Sequence, residues 1–545
     1  MNNFKSRATM KNINRYIFLL PAVVLLAAGC YKDKGNYDYK DEPVFTVELP
    51  QYTYSVRALP DPVVIRPDIK TDTPESDLSY LWTIFQSYAS AEYTEIVVDT
   101  ISREKNLDWV VPLDAGIYNL VLRVQDDVKG LQYFQRAQLT VTTQFSRGFY
   151  VLKEDGNNCD LDLFYLAEGT ATPEDPIFNC VEGKTGRPMT GKPLSFNIVY
   201  DYSFLNDETG KFNTTRSMNV VTEDDMWVIN SLDMNVVYNH DTFFYGDVPD
   251  EKPIAVVDNY YAVCYFSDRG HYDSYQAPQE SYGGVEGAGK MGVVNNPDDK
   301  GLVANPHAFY LPFYAAGATY YGAVFVYDEK NGRFLYVNYD GTPTLFRDTG
   351  GSQDDYKPNG IPHKMLYYGG SNIANTFYTW GVFGDKDNAA KRYLYQLKVG
   401  FGVTNNPIVG VTELGTDKKF SRATHYAVNE TSALVMYFVC DNQLYMYNTV
   451  SGAEELIHPS QITGEEVTYI SHRWCSINEA DTFNYLAIAT HTGGKYKVYL
   501  FNMDAGGRIG STAARVLEGD GKVFKLNFVS DHMHMTSLGF NSWGF

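Results

Sequence analysis

Apolar and polar residues alternate over several short stretches between residues 43 and 145. In the clearest stretch, every second residue after Gly116 is apolar and lies on one side of an extended chain: Tyr118, Leu120, Leu122 and Val124. A period of two is typical of a half-buried β-strand. A second stretch, Leu78–Ile84, contains Trp82. Short strands at this spacing predict a β-sandwich over residues 43–145.

A different pattern begins near residue 146, where an apolar, aromatic-rich strand, a polar turn and a second strand recur. The seven predicted hairpins pair 148–153 with 161–166, 226–230 with 234–238, 254–257 with 261–266, 323–327 with 333–338, 376–383 with 393–399, 434–439 with 443–448, and 484–490 with 496–502. Asn-Gly and Asp-Asn steps in the turns supply the positive φ that tight hairpins need.

The spacing of these hairpins suggests their arrangement. The last four start at residues 323, 376, 434 and 484, so the gaps are 53, 58 and 50 residues. That is the length of one four-stranded blade. We therefore predict an all-β chain in which residues 146–545 form a β-propeller of about seven blades. The stretch Val523–Val529 is expected to supply a strand that helps close the ring.

Composition narrows the class of protein. Hydrophobic residues make up 44% of the chain, which excludes wholesale disorder. Aromatic residues make up 15%, and they fit pleated, half-buried β-surfaces. The net charge of −21 argues against nucleic acid as a partner, because phosphates require a basic face.

The first 30 residues have the order of a secretory signal. Four basic residues and no acidic one precede an apolar run over residues 16–29. This run is shorter than the ~20 residues that span a bilayer. It ends in small residues and Cys30, an order that resembles a bacterial lipobox. We predict that residues 1–29 are removed as a signal peptide, that the Cys30 thiol is acylated and anchors the protein in the lipid bilayer, and that residues 30–42 form a tether.

Motifs for catalysis and for cofactor binding are missing from the sequence. HExxH, GxSxG, a phosphate-binding loop and the dinucleotide glycine pattern do not occur. Asp155–Asp162 spaces oxygen ligands as calcium loops do but lacks the closing Glu, so a hairpin turn is favoured. His532 and His534 supply only two imidazoles, too few for a metal site. With 66 acidic residues, the sequence does not single out a carboxylate pair for glycoside hydrolysis. We predict no cofactor and no metal.

Five cysteines remain besides Cys30. This odd, sparse set is not a disulfide framework. Cys159 and Cys180 are the only pair close enough in sequence to suggest a local bridge, and the sequence leaves their pairing open.

Aromatic residues in predicted loops and near blade edges are the candidate ligand-binding residues. The connection 267–301 is rich in Gly and poor in aliphatic residues, as a binding loop or a disordered segment is. The candidates are Tyr272, Tyr275 and Tyr282 in this connection and Tyr367, Tyr368, Tyr378, Trp380 and Trp474 near blade starts. Their rings suit sugars or peptide side chains, although each ring could equally pack between blades.

The Trp82 strand and the strand after Gly116 resemble a PKD-type immunoglobulin-like domain. With the lipobox, the tether Cys-Tyr-Lys-Asp-Lys-Gly-Asn-Tyr and the long β-rich remainder, the chain resembles the PKD-like lipoproteins of Bacteroidetes. The resemblance implies an accessory lipoprotein of a SusC/SusD-type TonB-dependent uptake system. Such a protein would lie in the outer membrane, face the cell exterior and bind an oligomeric nutrient, either peptide or glycan.

Non-catalytic binding is therefore the leading hypothesis, and two alternatives stay open. One is a propeller-fold hydrolase or lyase that acts on an extracellular polymer. The other is a structural or adhesive lipoprotein.

Overall fold

The computed structural model describes residues 45–530 except 58–61, 87–97, 114–115, 166–174, 207–210, 260–261, 276–288, 316–318, 354, 375, 389, 401 and 477–481. Cys30, Tyr282, His532 and His534 lie outside the described residues. Within them the chain is all-β, with 36 strands and one short α-helix. None of the helices in this part of the chain is long and apolar enough to cross a bilayer.

Nine strands build the N-terminal region. They are β1 (Phe45–Glu48), β2 (Thr53–Arg57), β3 (Pro62–Ile65), β4 (Asp68–Thr71), β5 (Leu78–Gln86), β6 (Asp99–Ser102), β7 (Leu107–Val110), β8 (Gly116–Asp126) and β9 (Leu131–Thr142). The main sheet has the order β2-β9-β8-β5-β6, and β1-β4 and β3-β7 form two-stranded sheets. Trp82 of the main sheet is fully buried in one hydrophobic cluster with Val63 of β3 and Leu107 of β7. The alternation along β5 and β8 therefore marks a real core face.

Seven antiparallel sheets follow in the described part of the chain after β9. Sheet 1 contains β10 (Gly148–Asp155), β11 (Asn158–Tyr165), β12 (Met189–Thr190) and β36 (Lys522–Val529); sheet 2 contains β13 (Pro193–Asn206), β14 (Lys211–Thr222), β15 (Met226–Asn230) and β16 (Val236–Asn239); sheet 3 contains β17 (Pro253–Asn259), β18 (Ala262–Ser267) and β19 (Gly270–Tyr275); sheet 4 contains β20 (Phe309–Ala315), β21 (Thr319–Asp328), β22 (Arg333–Asn338) and β23 (Pro343–Leu345). Sheet 5 contains β24 (Lys364–Ile373), β25 (Thr376–Gly384), β26 (Arg392–Val399) and β27 (Ile408–Leu414); sheet 6 contains β28 (His425–Val428), β29 (Val435–Cys440), β30 (Gln443–Asn448) and β31 (Glu454–Leu456); sheet 7 contains β32 (Glu466–Ser476), β33 (Thr482–Thr492), β34 (Lys495–Asn502) and β35 (Arg515–Asp520).

All seven predicted hairpins are confirmed as antiparallel pairs. Their turns have the expected geometry. Gly332 turns the chain between β21 and β22 at φ 61°, and Asp441 and Asn442 do so between β29 and β30 at φ 52° and 57°. The predicted strand Val523–Val529 is also present as β36, which pairs with β10.

Sheets 2 to 7 contact their neighbours through their first strands, and sheet 1 does so through its last strand, β36. β13 contacts β17, and the series continues through β20, β24, β28 and β32. β32 then contacts β36 of sheet 1, and β36 contacts β13. The neighbours thus form a circuit that returns to its start, and we call these seven strands the inner strands.

The acidic stretch between β10 and β11 has a structural role. Its Gly156 turns the hairpin at φ 65°. The Asp160 carboxylate accepts the backbone N–H groups of Val181 and Glu182, each at 2.9 Å, at the start of helix α1 (Cys180–Thr185). These bonds satisfy donors that a helix start leaves unpaired. Within the described ranges, no group of three His, Cys, Asp or Glu residues could hold a metal.

Cys159 and Cys180 are buried and are not joined to each other. Burial raises the pKa of the Cys159 thiol to about 12. The local bridge that the sequence left open is thus not formed, and these thiols pack as small apolar groups.

Candidate functional site

The connection predicted over residues 267–301 is not one loop. It begins with β19, where Tyr272 is buried beside Tyr265 and Phe244. The Tyr272 hydroxyl donates a 2.6 Å hydrogen bond to the Glu251 carboxylate. Tyr275 is the last residue of β19. The prediction of a binding loop or a disordered segment is therefore wrong for residues 270–275, which form a strand, and Tyr272 is buried there by the apolar cluster that surrounds it.

The other predicted aromatic residues divide between packing and a more open position. Tyr368 and Trp380 are each 2% exposed, and they donate hydrogen bonds to Thr379 at 3.2 Å and Ser371 at 3.1 Å. Their rings thus pack inside sheet 5 and its neighbours and offer no face to a ligand.

Tyr378, Trp474 and Tyr367 are half-buried. The ring of Tyr378 lies 6.0 Å from that of Trp380. Trp474 of sheet 7 packs against a hydrophobic cluster that sheets 4 and 5 share. Only Tyr367 belongs to the polar group described next.

Polar side chains from six sheets converge along the circuit of inner strands. This central cluster consists of Asn197 of β13, His307 ahead of β20, Tyr367 of β24, Glu430 just after β28, Tyr469 and Arg473 of β32, and Lys525 of β36. The seventh sheet also contributes, since the Asn197 side-chain amide donates to the Val256 carbonyl of β17 at 2.8 Å. Elements far apart in sequence are joined here by polar groups.

Arg473 holds three of these sheets together. Its Nε donates to the Leu526 carbonyl of β36 at 2.8 Å, and Nη2 donates to the Tyr469 hydroxyl at 3.0 Å. Nη1 lies 3.5 Å from Oε1 of Glu430, and both side chains are 4% exposed. Because a guanidinium stays charged in proteins, this is a fixed positive charge in the interior.

Glu430 is positioned through its backbone. Its N–H donates to Nδ1 of His472 at 2.7 Å, and its carbonyl accepts the N–H of Asn372 at 2.7 Å. Since Nδ1 of His472 accepts, Nε2 carries the proton and donates to Oδ1 of Asn484 at 2.6 Å. Burial lowers the pKa of His472 to about 4, which agrees with this neutral tautomer.

The carboxyl group of Glu430 is in an unusual state. Burial raises its pKa to about 8 even though Arg473 and Lys525 act in the opposite direction. Among the described residues, its Oε2 atom is buried and has no hydrogen-bond partner. Near neutral pH this group therefore keeps a proton, and it can donate as well as accept a hydrogen bond.

Solvent reaches the other side of the cluster. Lys525 is half-buried, and its ammonium donates to Oδ1 of Asn197 at 3.1 Å. Desolvation, with Arg473 nearby, lowers the pKa of Lys525 to about 7. His307 is exposed, and its ring centre lies 5.7 Å from that of Tyr367. The cluster therefore combines buried charges with an accessible pair of rings, His307 and Tyr367, which we call the aromatic edge.

Two tyrosines supply donors to this edge. The Tyr367 hydroxyl accepts the Val428 N–H at 3.0 Å, and the Tyr469 hydroxyl accepts from Arg473. A phenol that accepts an N–H still has its own proton to donate. Burial raises the pKa of Tyr367, so this proton stays bound at neutral pH. Together these groups can bind an acceptor-rich ligand.

Sequence reasoning found only Tyr367 of the central cluster. Glu430 and Arg473 lie 43 residues apart, and no local pattern links them. One signal was available, since Lys525 is a cation between the apolar residues Phe524 and Leu526 of β36. A charge in a strand of this kind indicates a partner elsewhere in the fold.

Comparisons with known proteins place one part of the chain in context. The sequence model of the PKD-like family matches residues 30–193. This match covers the N-terminal sheets and continues through β10, β11, α1 and β12. No curated protein sequence gives a significant match to the chain.

Two solved structures resemble the chain at a distance. A quinonprotein alcohol dehydrogenase-like protein from Bacteroides thetaiotaomicron has 12% identity over 90% of this chain and 99% of that chain, with a TM-score of 0.36. The WD40 domain of SCAP from fission yeast has 10% identity over 62% and 76% of the two chains, with a TM-score of 0.32. Likeness at these scores carries no inference, so the architecture rests on the sheets themselves.

Proposed function

We propose that this protein is a lipid-anchored surface protein that binds a nutrient ligand at the central cluster without catalysing its conversion. The observation that carries the proposal is the convergence of Glu430, Arg473 and Lys525 from three sheets beside a solvent-exposed aromatic edge. Buried charges weaken a fold unless they are fully paired. Groups with strongly shifted pKa values concentrate at functional sites.

In this proposal the seven sheets are the blades of a β-propeller. Three features support it: the sheets are antiparallel, their inner strands contact in a circuit, and sheet 1 combines the first strands of this region with its last, β36. A propeller has a central channel lined by its innermost strands. The central cluster would lie in that channel, where a ligand meets side chains from several blades.

The N-terminal sheets would form an immunoglobulin-like sandwich that holds the propeller away from the membrane. The shared cluster around Trp82 and the match to the PKD-like family support this arrangement. The lipobox ending at Cys30 supports an anchor in the outer membrane, with the protein facing the exterior. The resemblance to PKD-like lipoproteins supports a SusC/SusD-type transporter as the partner and an oligopeptide or glycan as the ligand.

Calorimetry of the purified full chain against glycan and peptide libraries tests the proposal. We expect either glycans or peptides to bind without being chemically converted. The Lys525→Met variant should bind the same ligand at least about tenfold more weakly, the loss expected for one ionic contact. Lys495→Met is the matched control, because Lys495 is a solvent-exposed lysine of β34 in sheet 7. Cleavage of the ligand would favour the hydrolase or lyase alternative. Equal binding by the Lys525 variant would remove the central cluster as the site.

The transporter is tested separately by affinity purification from solubilised outer membranes. A SusC/SusD-type complex should co-purify with the full chain. If it does not, and the protein instead promotes cell–cell or cell–matrix attachment, the adhesive alternative is supported.

A further inference from the structure

Resting on the proposed function, we infer that the central cluster recognises a carboxylate group of its ligand. Three hydrogen-bond donors belong to the half-buried side chains of this cluster. Lys525 supplies an ammonium group, and Tyr367 and Tyr469 supply hydroxyl protons whose oxygens already accept N–H groups. These three donors come from different sheets. A carboxylate only accepts hydrogen bonds and has two oxygens to share among several donors.

Glu430 supplies the second, independent observation. Its Oε2 atom is buried without a partner among the described residues, which is a costly state for a polar atom. In the protonated form that burial favours, the Glu430 carboxyl group adds no negative charge that would repel a ligand carboxylate.

The charge of the cluster fits a monoanion. Arg473 is permanently positive, and its donors include bonds to Leu526, Tyr469, Glu430 and the His472 carbonyl. With Glu430 protonated, the cluster carries net positive charge inside a chain whose total charge is −21. Because Arg473 is held by these partners, it acts as a fixed charge rather than as a bidentate fork, and phosphate recognition commonly uses such a fork.

The aromatic edge indicates what the carboxylate is attached to. The ring of His307, which is exposed, and the ring of Tyr367, which is half-buried, lie 5.7 Å apart at 56°. Such a pair can contact the apolar face of a sugar ring or a side chain next to the charged group. The carboxylate can come from a uronic acid of a glycan or from the C-terminus of a peptide, and the experiment separates these sources.

The test compares acids with their neutral counterparts in calorimetry on the full chain at pH 7. The probes are tri-galacturonate against galactotriose, a tripeptide with a free C-terminus against its amide, and inorganic phosphate. We expect one acid to bind at least about tenfold more tightly than its neutral counterpart, the factor for one charge-assisted contact. The acid that binds identifies the source.

Variants then locate the group. Lys525→Met should remove most of the preference for the acid, and Lys525→Arg should restore part of it. Tyr367→Phe should lower the affinity for the acid more than the affinity for the neutral probe. Tyr393→Phe is the matched control, because Tyr393 is a half-buried tyrosine of sheet 5 outside the cluster. Near-ultraviolet circular dichroism establishes that each variant is folded.

The possible results separate this inference from the proposed function. Equal binding of acid and neutral probes, or binding of phosphate as tight as that of the acids, overturns carboxylate recognition but leaves a binding protein. If none of these probes binds and the glycan and peptide libraries also fail, both are overturned. A preference for the acid that survives Lys525→Met overturns the assignment to this cluster.

Discussion

Nη1 of Arg473 lies 3.5 Å from Oε1 of Glu430 in the interior of the protein, and each side chain is 4% exposed. The distance is long for a charge-assisted hydrogen bond, which is usually 2.7–2.9 Å. Arg473 instead makes its short bonds to Leu526 and Tyr469. The charged form of the Glu430 carboxyl group is therefore only weakly stabilised by the guanidinium. This explains how burial can raise the pKa of Glu430 despite a neighbouring cation.

Replacing Arg473 should destabilise the fold strongly. Arg473→Met removes the hydrogen bond from β32 to the Leu526 carbonyl of β36 and the contact with Glu430. Leaving a buried acceptor without its donor costs about 1–3 kcal/mol for each group. Arg508→Met is the control, since Arg508 pairs with Glu455 at 2.7 Å on the surface, where ion pairs contribute little. Urea unfolding of both variants checks this, and similar losses would contradict an interior role for Arg473.

Glu430 should make stability depend on pH. Between its ordinary pKa of 4.5 and about 8, the folded protein keeps this proton while the unfolded chain releases it. The free energy of unfolding therefore falls as pH rises through this window. Glu430→Gln should flatten that fall, and it can be measured by urea unfolding from pH 5 to pH 8.

Two comparisons make the pH experiment specific. Glu48→Gln, in the exposed position at the end of β1, should follow the parent curve. Above pH 7 the folded protein has released the Lys525 proton while the unfolded chain keeps it, so Lys525 makes the free energy of unfolding rise with pH. Lys525→Met should remove this rise and so steepen the fall that Glu430 causes. A Glu430→Gln curve parallel to the parent would contradict the raised pKa.

The sequence predicted the hairpins because their signals are local. Alternation and turn residues such as Asn331-Gly332 act within a few positions, and all seven pairs formed. The inner strand β24 escaped prediction, since Gly369 and Gly370 lie in its middle. A Cβ on Gly369 would lie 2.4 Å from the Tyr367 hydroxyl and 2.7 Å from Val428 of sheet 6. Glycine there permits close approach between sheets, which is a tertiary requirement that propensity does not register.

The candidate site was less predictable than the fold. Of the eight aromatic candidates, Tyr272, Tyr368 and Trp380 are buried because their rings lie in hydrophobic clusters to which neighbouring sheets contribute. The central cluster depends on contacts between inner strands that lie tens of residues apart, such as Glu430 with Arg473. Only Lys525, a cation between two apolar residues of β36, gave a local sign of it.

Cys30 should be the site of lipid attachment. The basic start, the short apolar run and the Gly29-Cys30 junction indicate that its thiol takes the diacylglyceryl group. Cys30→Ala should therefore leave an unprocessed precursor that takes up no labelled palmitate. Cys440→Ala, which changes a buried cysteine of β29, should label as the parent does. Palmitate uptake by the Cys30 variant would refute the assignment.

Gly332 should be required for the hairpin between β21 and β22. It has φ 61°, and a Cβ there would lie 2.4 Å from the Ile361 carbonyl oxygen. The carbonyl of Gly332 in turn accepts a hydrogen bond from the Ile361 N–H at 2.6 Å, so the two backbones cannot separate without losing that bond. Gly332→Ala should therefore lose more stability than the ~1 kcal/mol that a left-handed backbone alone costs an alanine.

Gly464 provides the matched control for this hairpin. It has φ 87°, and no atom lies within 4 Å of the position that a Cβ would take. Gly464→Ala should therefore show the backbone cost alone. The comparison is made by urea unfolding at one pH, with the slope of each transition used to verify that the unfolded states are alike. Equal losses in the two variants would mean that the contact with Ile361 relaxes without cost, and that positive φ alone accounts for glycine at position 332.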